Sequence, residues 1–411
     1  MTNHRIGLTL AVTAAAILAP TAPRAVEMTA GDWKFTASGN VNAHYILSQC
    51  DDSNPHAITL GHACTVAAGS DSSSSSVSNG LLPAALGITA STTQGGYDLA
   101  ATFGLFPGIS TNDGGSPNLE GNGPSNTALG TTGLDVRQVF LTFGNKTMGT
   151  FLLGRNIGLF GQDVILGDMT LIGVGAGGGD HAAPPNTSLG SIGLGYIYTD
   201  WLAQINYTTP DFSGLKFTVG IFDPLEPIDG SQAAPTPKSA PGFHGKVAYT
   251  AGDLYLSATF LSQKQKGTLS SADYDSTGFD LGGKYKIGGL ELMGYYYNGS
   301  GIGTTGLFIL SSDGLGHKRD SDGFLAQVTY TLNKTKFGVN YGESNLDLAS
   351  GETSASNPLL VKKNSKYTVG VYHKLTDNLT LLGEISDITS KAQNGDENKA
   401  QTFNVGAFLA F

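Results

Sequence analysis

The chain has 411 residues and an acidic balance of 33 Asp and Glu against 23 Lys and Arg. Nucleic-acid binding needs the opposite sign of charge, so no nucleic-acid partner is expected. Charged residues make up only 14% of the chain, beside 19 Phe, 16 Tyr and 2 Trp, which excludes an intrinsically disordered protein. Beyond residue 20 there is no apolar run long enough for a membrane-spanning helix.

Residues 1–25 have the pattern of a secretory signal peptide. Arg5 supplies the positive start, an apolar run follows to Ala19, and small residues come next. Cleavage is expected after Ala22 or Ala25, although a proline stands three positions before each of these cuts. The alternative, a membrane anchor, is disfavoured because the apolar run is too short to span.

From Lys34 onwards, segments of about ten residues alternate between apolar and polar side chains, which predicts strands with two unlike faces. Sixteen are predicted: Lys34–Leu47, Pro83–Thr93, Tyr97–Pro107, Leu134–Gly144, Gly149–Ile157, Asp200–Thr209, Leu215–Asp223, Gly242–Thr250, Asp253–Gln265, Thr277–Ile287, Leu290–Asn298, Asp322–Leu332, Thr335–Asn345, Lys366–Thr376, Asn378–Thr389 and Gln401–Phe411. Short turns alternate with long loops, including Ser48–Leu82 and the charged loop Lys391–Ala400. This alternation predicts an all-β fold over 26–411, a 16-stranded antiparallel transmembrane β-barrel.

The two faces of the predicted strands differ in charge. A lipid-facing charge costs about 2–4 kcal/mol at the bilayer midplane, so charged side chains should face a water-filled lumen. The charged residues expected to face the lumen are Asp280, Lys284, Lys286, Lys336 and Glu384. The last strand is apolar on alternate positions and ends on Phe411, as expected of the strand that closes a barrel.

The only two cysteines, Cys50 and Cys64, are 14 residues apart. An exported chain meets an oxidising compartment, which favours a disulfide between them. A Cys/His metal site is the alternative, because His56 and His62 lie in the interval. The spacing fits no tight zinc pattern, so the disulfide is preferred and no metal is expected.

The longest irregular interval, 158–199, contains Asp163, Asp168 and Asp180 and many glycines. A bare sixteen-strand tube would discriminate poorly between solutes, so selectivity needs a narrowing that carries charge. This interval is long enough to fold inward and form that constriction. The alternative is a mobile external loop.

Four segments and the terminal residue resemble the general diffusion porins of Gram-negative outer membranes. The matching residues are Arg137-Gln-Val-Phe-Leu-Thr-Phe-Gly144, Gly149-Thr-Phe-Leu-Leu-Gly-Arg-Asn156, Gly167-Asp-Met169, Tyr207-Thr-Thr-Pro-Asp-Phe-Ser-Gly214 and Phe411. The resemblance implies an outer-membrane barrel that is embedded in lipid and lipopolysaccharide and assembles as a homotrimer. It also implies that the terminal Phe411 acts as a barrel-assembly signal.

The same resemblance assigns roles at the constriction. Arg137 and Arg155 match wall arginines, and Asp168 matches an acid of the inward loop. Asp200 stands where a further wall arginine is often found. Alternation places Arg137 on the parity of its apolar neighbours, so either a β-bulge turns it into the lumen or it lies at the lipid interface. The resemblance favours the lumen.

Three functions remain open on the sequence. The first is a pore for passive diffusion of ions and small hydrophilic solutes, and the second is a substrate-specific channel of the same fold. The third is a plugged barrel that acts as an enzyme or adhesin. Two Gly-x-Gly-x-x-Gly matches, at Gly173 and Gly301, lack the strand–helix context of a dinucleotide site, and no Gly-x-Ser-x-Gly elbow occurs. We therefore expect no enzyme and no cofactor.

Overall fold

The computed structural model describes residues 25–53, 55–109, 134–177, 187–228, 238–266 and 273–411. Within these ranges the chain forms eighteen β-strands, one short α-helix and one 3₁₀ turn. The predicted signal segment, apart from Ala25, lies outside the described residues, and so does Asp180. Among the described residues, no helix is long and apolar enough to cross a membrane.

Sixteen strands pair with their neighbours in antiparallel order and close into a barrel. They are β2 (Trp33–Gln49), β4 (Ala85–Gln94), β5 (Tyr97–Pro107), β6 (Leu134–Asn145), β7 (Gly149–Ile157), β8 (Trp201–Thr208), β9 (Leu215–Phe222), β10 (Gly242–Ala251), β11 (Leu254–Gln265), β12 (Tyr274–Ile287), β13 (Leu290–Ser300), β14 (Asp320–Leu332), β15 (Thr335–Leu346), β16 (Val361–Lys374), β17 (Leu379–Ala392) and β18 (Glu397–Ala410). Closure is made by β18 against β2, from Gln401 opposite Gln49 to Ala410 opposite Asn40. The predicted 16-stranded barrel is confirmed.

Two short strands extend this wall and were not expected from the sequence. β1 (Val26–Ala30) pairs with the start of β2. β3 (Ser73–Ser78) pairs with the far end of β2, inside the interval predicted as a loop. β3 is almost entirely serine, so it carries no apolar alternation that sequence reasoning can detect.

The predicted charged loop Lys391–Ala400 is wrong in extent. β17 continues to Ala392 and β18 begins at Glu397, so only residues 393–396 connect the two strands. Lys391 lies directly opposite Glu397 in this extension. Opposite charges across a strand pair favour pairing, and this part of the hairpin has no apolar outward face that would predict a strand from the sequence.

The outer face of the barrel is apolar, as the alternation predicts. Exposed side chains on this face include Val41, Phe103, Leu141, Ile205, Val219, Phe260, Leu281, Val328, Val339, Ile385, Phe403 and Val405. Near the short-turn end, Phe143 stacks on Phe151 at 5.0 Å between ring centroids, and Tyr207 continues the row at 4.9 Å. Such an aromatic row is typical of a membrane–water boundary.

The main cluster of buried apolar residues lies inside the barrel. It joins loop residues such as Phe160, Tyr196 and Phe308 to wall residues such as Phe106 and Tyr297. The loops at one end of the barrel therefore fold inward and pack on the inner wall, and they define the region where function must be sought.

Candidate functional site: the loop inside the barrel

The described parts of the loop between β7 and β8, residues 158–177 and 187–199, lie inside the barrel. They contain the helix α1 (Gln162–Gly167) and a 3₁₀ turn over Met169–Ile172. Gly167 lies close to the wall: a Cβ there would lie 2.5 Å from Lys284 Nζ, so a larger residue would have to displace the Lys284 side chain. The described parts of the interval expected to fold inward thus contact the wall at several points.

Asp163 makes the first attachment of this loop to the wall. Its carboxylate accepts hydrogen bonds from Lys246 of β10 at 2.7 Å and from the Tyr255 hydroxyl of β11 at 3.0 Å. Burial raises the pKa of the Asp163 carboxyl, but the Lys246 charge and the hydrogen bonds from Lys246, Ser257 and Tyr255 together outweigh burial and hold the pKa below its ordinary value. Asp163 is therefore ionised and paired.

Two wall residues bind the backbone of the loop next to α1. Asp280 of β12 accepts a hydrogen bond from the Gly161 N–H at 2.8 Å. Gln327 of β14 accepts from the Met169 N–H at 2.7 Å and donates to the Gly167 carbonyl at 3.0 Å. These bonds satisfy backbone groups that the loop would otherwise bury unpaired.

Asp168 organises the turn that follows α1. Its side chain caps the 3₁₀ turn by accepting from the backbone N–H and hydroxyl of Thr170, at 2.9 and 2.8 Å. It also accepts from the Tyr196 hydroxyl at 2.9 Å and from Asn340 of β15 at 3.2 Å. Burial and the neighbouring Asp168 raise the pKa of the Tyr196 hydroxyl far above its ordinary value, so Tyr196 remains a donor.

Glu384 of β17 holds the far limb of the loop. One carboxylate oxygen accepts from the backbone N–H groups of Val174 and Gly175, both at 2.8 Å. The carboxylate also accepts from the Tyr372 hydroxyl at 2.6 Å and from the Asn404 amide at 3.0 Å. Glu384 therefore has four donors around one buried carboxylate, as Asp168 does.

The five charged residues that were expected to face a water-filled lumen differ in their exposure in the structure. Asp280 and Glu384 point inward but are only 3% and 1% exposed, because the loop covers them. Their assignment as water-facing groups is wrong. Lys286 points into open space, with 60% of its side chain exposed, and pairs with Glu291 at 3.1 Å.

The other two lysines lie between these extremes. Lys284 is directly beneath Gly167 of the loop, and Lys336 lies over the Tyr372 ring, with its Nζ 4.6 Å from the centroid. Both are half-buried on the inner wall. The lysines therefore flank the loop on the side of the short turns.

Arg137 is turned inward by a β-bulge. Gly104 of β5 lies opposite Gln138, whereas Leu105 lies opposite Val136, so Arg137 is the extra residue of β6. Its guanidinium bonds Asp135 at 3.1 Å and lies 5.0 Å from the Phe106 ring centroid. The bulge resolves the conflict between its parity and its charge.

Arg155, in contrast, is on the outer face. In the register it lies between Val139 of β6 and Ala203 of β8, which are both exposed on the lipid-facing side. The expectation that Arg155 lines the constriction, which came from motif similarity alone, is therefore wrong: directly opposed residues in a sheet share one face.

Asp200 begins the return from the loop into the wall, with a positive φ of 59°. Its side chain accepts from the Trp201 N–H at 2.6 Å. Burial raises the pKa of the Asp200 carboxyl, and that hydrogen bond and the charges of Arg155 and Arg137 oppose the rise. Asp200 therefore caps the start of β8 by accepting a hydrogen bond from its first residue.

Cys50 and Cys64 form a disulfide with an S–S distance of 2.13 Å. It closes a lobe of the first long loop, and the His62 N–H at the base of this lobe donates to Ser390 Oγ of β17 at 2.7 Å. No group of three or more His, Cys, Asp or Glu side chains within the described ranges is arranged to hold a metal ion.

At the opposite end of the barrel, the Phe411 backbone exchanges two hydrogen bonds with Gly39, at 2.8 and 2.9 Å.

Several residues of the site were not found from the sequence. Gln327 and Asn340 bind the loop from the wall, and Tyr196 bonds Asp168 within the loop. Lys366 of β16 is 1% exposed and interacts electrostatically with the carboxylates of Asp168 and Glu384. The available signal was their inward parity in the strands, which sequence reasoning used only for the charged members of β12, β15 and β17. Tyr196 lies in a loop and gave no signal.

Comparison with known proteins matches the chain to one family and to several solved structures. A family model described as Gram-negative porin matches residues 8–393. The outer-membrane channel DcaP of Acinetobacter baumannii has 15% identity and a TM-score of 0.68, over 93% of this chain and 99% of that one. OmpF of Salmonella typhi has 12% identity and a TM-score of 0.59, over 94% and 100%. OmpT of Vibrio cholerae has 14% identity and a TM-score of 0.54, over 94% and 100%.

At these identities the structural likeness shows a shared fold. Comparison with curated protein sequences finds no match.

Proposed function

Because the chain belongs to the Gram-negative porin family and is an outer-membrane channel for passive diffusion of solutes, we propose that loop 158–199 forms its constriction. The observation that carries this proposal is the set of carboxylates that tie the loop to the wall. Asp163 and Asp168 reach from the loop to the wall, and Asp280 and Glu384 reach from the wall to the loop. A loop fixed from both sides reduces the cross-section permanently.

The carboxylates act mainly as fasteners in this proposal. Each is buried or paired, so none of the four presents a free charge to a passing ion in the way that a selectivity filter requires. Among the five charges expected to face the lumen, Lys286 is the exposed one, and it lies on the short-turn side of the barrel. We therefore expect the constriction to discriminate by size and hydrogen bonding more than by a strong transverse field.

A substrate-specific channel is the second candidate. It is favoured by the burial of inner-wall side chains on both sides of the barrel, such as Phe106, Gln138, Asn340 and Thr368. A narrow passage contacts its solute on all sides, which favours a saturable site over free diffusion.

The fold and the family are those of a channel rather than of an enzyme. We extend this to the proposal that the chain has no catalytic activity. The assembly remains a proposal as well: a homotrimer in lipid and lipopolysaccharide, with Phe411 as the assembly signal and residues 1–25 removed on export. The outer faces of β2, β4 and β5 carry the small residues Ala37, Ala90 and Ala101 beside the exposed Ile88 and Phe103, an apolar surface suited to packing against a second copy.

Purified protein in planar lipid bilayers tests the proposal. We expect stepwise ion conductance, with a larger step for Glu384→Ala than for the wild type, because releasing the loop widens the passage. Current that saturates with one class of solute would support the specific channel. Wild-type protein that carries no current, together with a Glu384→Ala variant that also carries none, would overturn the proposed constriction.

A further inference from the structure

A second loop also lies inside the barrel. The connection between β13 and β14, residues 301–319, begins Gly301-Ile-Gly-Thr-Thr-Gly306, a glycine-rich sequence with no evident role. Its tip, residues 302–310, nevertheless contains Ile302 and Phe308 at 0% exposure and Leu307 at 5%. Three apolar side chains so completely buried in a long loop show that the tip packs against other parts of the interior.

The tip shares its position on the wall with loop 158–199. A Cβ at Gly278 of β12 would lie 3.2 Å from Ile302 of the tip and also 3.2 Å from Phe160 of loop 158–199. Phe160 packs edge-on against Tyr297 of β13, with ring centroids 6.5 Å apart. The two loops therefore meet at one inner-wall site, where a side chain at position 278 would crowd both Ile302 and Phe160.

Backbone hydrogen bonds join the tip to two other loops. The Tyr198 N–H of loop 158–199 donates to the Thr305 carbonyl at 2.7 Å. In the loop after β9, the Ile228 N–H donates to Phe308 at 2.9 Å, and the Ile228 carbonyl accepts from Leu310 at 2.8 Å.

A side-chain bond adds a third loop, because His62 of the disulfide lobe lies 2.8 Å from the Thr305 hydroxyl. Three loops thus hold the tip in one place.

The backbone of the tip is strained. Thr305, Phe308 and Leu310 have φ values of 64°, 63° and 57°, a region that residues other than glycine rarely adopt. Such conformations persist only where the surrounding contacts impose them, and they gather at functional positions. Three within six residues indicate that the inward position of the tip is imposed by the packed interior.

We propose that the tip 302–310 is a second constriction element, which narrows the same passage from the β12–β13 side and sets the size limit together with loop 158–199. The inference rests on the proposed function, because it assumes that solutes pass loop 158–199. The inference differs from the proposed function because it assigns part of the electrical resistance of the channel to the loop 301–319. The strand pattern of the sequence gives no reason to place that loop inside the barrel.

The first test compares a double variant of the tip with a single control variant in the same loop. The double variant Leu307→Ser/Phe308→Ser removes buried apolar contacts of the tip, and Leu315→Ser makes the same chemical change at a residue that is 68% exposed. We expect the double variant to raise single-channel conductance at least twofold and to admit larger uncharged sugars. The Leu315→Ser control should match the wild type.

The second test keeps the buried apolar contacts of the tip and removes only the bond between the Thr305 hydroxyl and His62. Thr305→Cys provides a free thiol on the half-exposed part of the tip, since the native cysteines are paired. Attachment of a bulky thiol reagent, verified by mass spectrometry, should lower the current. The same modification of Leu315→Cys should leave it unchanged.

The outcomes separate this inference from the proposed function. If Glu384→Ala changes conductance but neither tip variant does, the second constriction is wrong and the first stands. If the wild type is silent and the double tip variant conducts, the tip is a constriction and the assignment of resistance to loop 158–199 alone fails. Unchanged current in the double variant and after modification of Thr305→Cys overturns the inference outright.

Discussion

The inner wall of the barrel differs between its two ends, although the strands alternate in the same way throughout. Toward the long loops, Asn340, Lys366 and Glu384 are each 1% exposed beneath the inward loops. Toward the short turns, Lys286 and Glu291 keep 60% and 27% of their side chains exposed. A polar face is thus no guarantee of contact with water, because an inward loop replaces water with its own backbone donors and acceptors.

The largest expected effect contrasts one carboxylate from each end. Glu384→Ala leaves four buried donors without their acceptor, so the free energy of unfolding should fall by on the order of 4 kcal/mol. Glu291→Ala removes a half-exposed partner of Lys286 and should cost about 0–1 kcal/mol. Urea unfolding in detergent measures both. Equal losses would mean that the two ends of the wall do not differ in the way described.

Reduction of the Cys50–Cys64 disulfide tests how much the lobe of the first long loop stabilises the buried end of the barrel. The closed loop has a sequence separation of 14, so reduction should lower the free energy of unfolding by about 3 kcal/mol. Unfolding is measured with and without a reductant. The Cys50→Ser/Cys64→Ser variant should behave like the reduced protein and show no response to the reductant.

Neighbouring residues on β6 test the outer face against the inner face. Leu141 is 46% exposed on the outside, and Thr142 is half-buried on the inside. Leu141→Lys should destabilise the folded barrel in lipid by about 2 kcal/mol, less than at the midplane because it lies near a turn. Thr142→Lys, which points into the lumen, should cost much less. Refolding into lipid vesicles at graded urea concentrations supplies the comparison.

Acidification tests the Asp163 attachment. A carboxyl whose folded-state pKa is lowered contributes stability above its unfolded value of 3.8, and loses it only as the pH falls through the lowered folded value. The conductance difference between wild type and Asp163→Asn should therefore persist from pH 7 to about pH 4 and vanish below. A difference already lost at pH 5 would contradict the Lys246 pair as the cause.

The smallest expected effect is at Arg155. Because it is on the outer face, Arg155→Gln should leave the reversal potential in a salt gradient unchanged. Arg137→Gln, which removes an inward guanidinium paired with Asp135, should alter it measurably. A clear shift for Arg155→Gln would return that residue to the lumen and show that the register argument fails.

The strands could be predicted from the sequence far more completely than the site. The sixteen predicted strands correspond to the sixteen of the closed barrel, because every second side chain of a lipid-exposed strand must be apolar. The exceptions are informative: β3 is a serine run, and the outer part of the β17–β18 hairpin is polar on its outward face and carries Ile388, Ala392 and Ala400 on its inward face. Where lipid does not contact the strand, the alternation disappears.

For the site, the sequence indicated the loop and its acids but not their partners. Asp163 and Asp168 were recognised as charges on a long loop, whereas Gln327, Asn340 and Tyr196 were not. The inward tip 302–310 was missed altogether, because its burial comes from contacts with other loops and its own sequence resembles an ordinary glycine-rich turn.

By itself the sequence determined the barrel, its strand count, the face that meets lipid and the end that carries long loops. All of these follow from local periodicity and the cost of exposing charge to acyl chains. Only the tertiary structure decided which inward groups meet water. The bond from Val174 to Glu384 joins residues 210 positions apart, and the bulge at Arg137 shifts one strand against its neighbour. Neither a distant contact nor a register shift leaves a periodic mark on the chain.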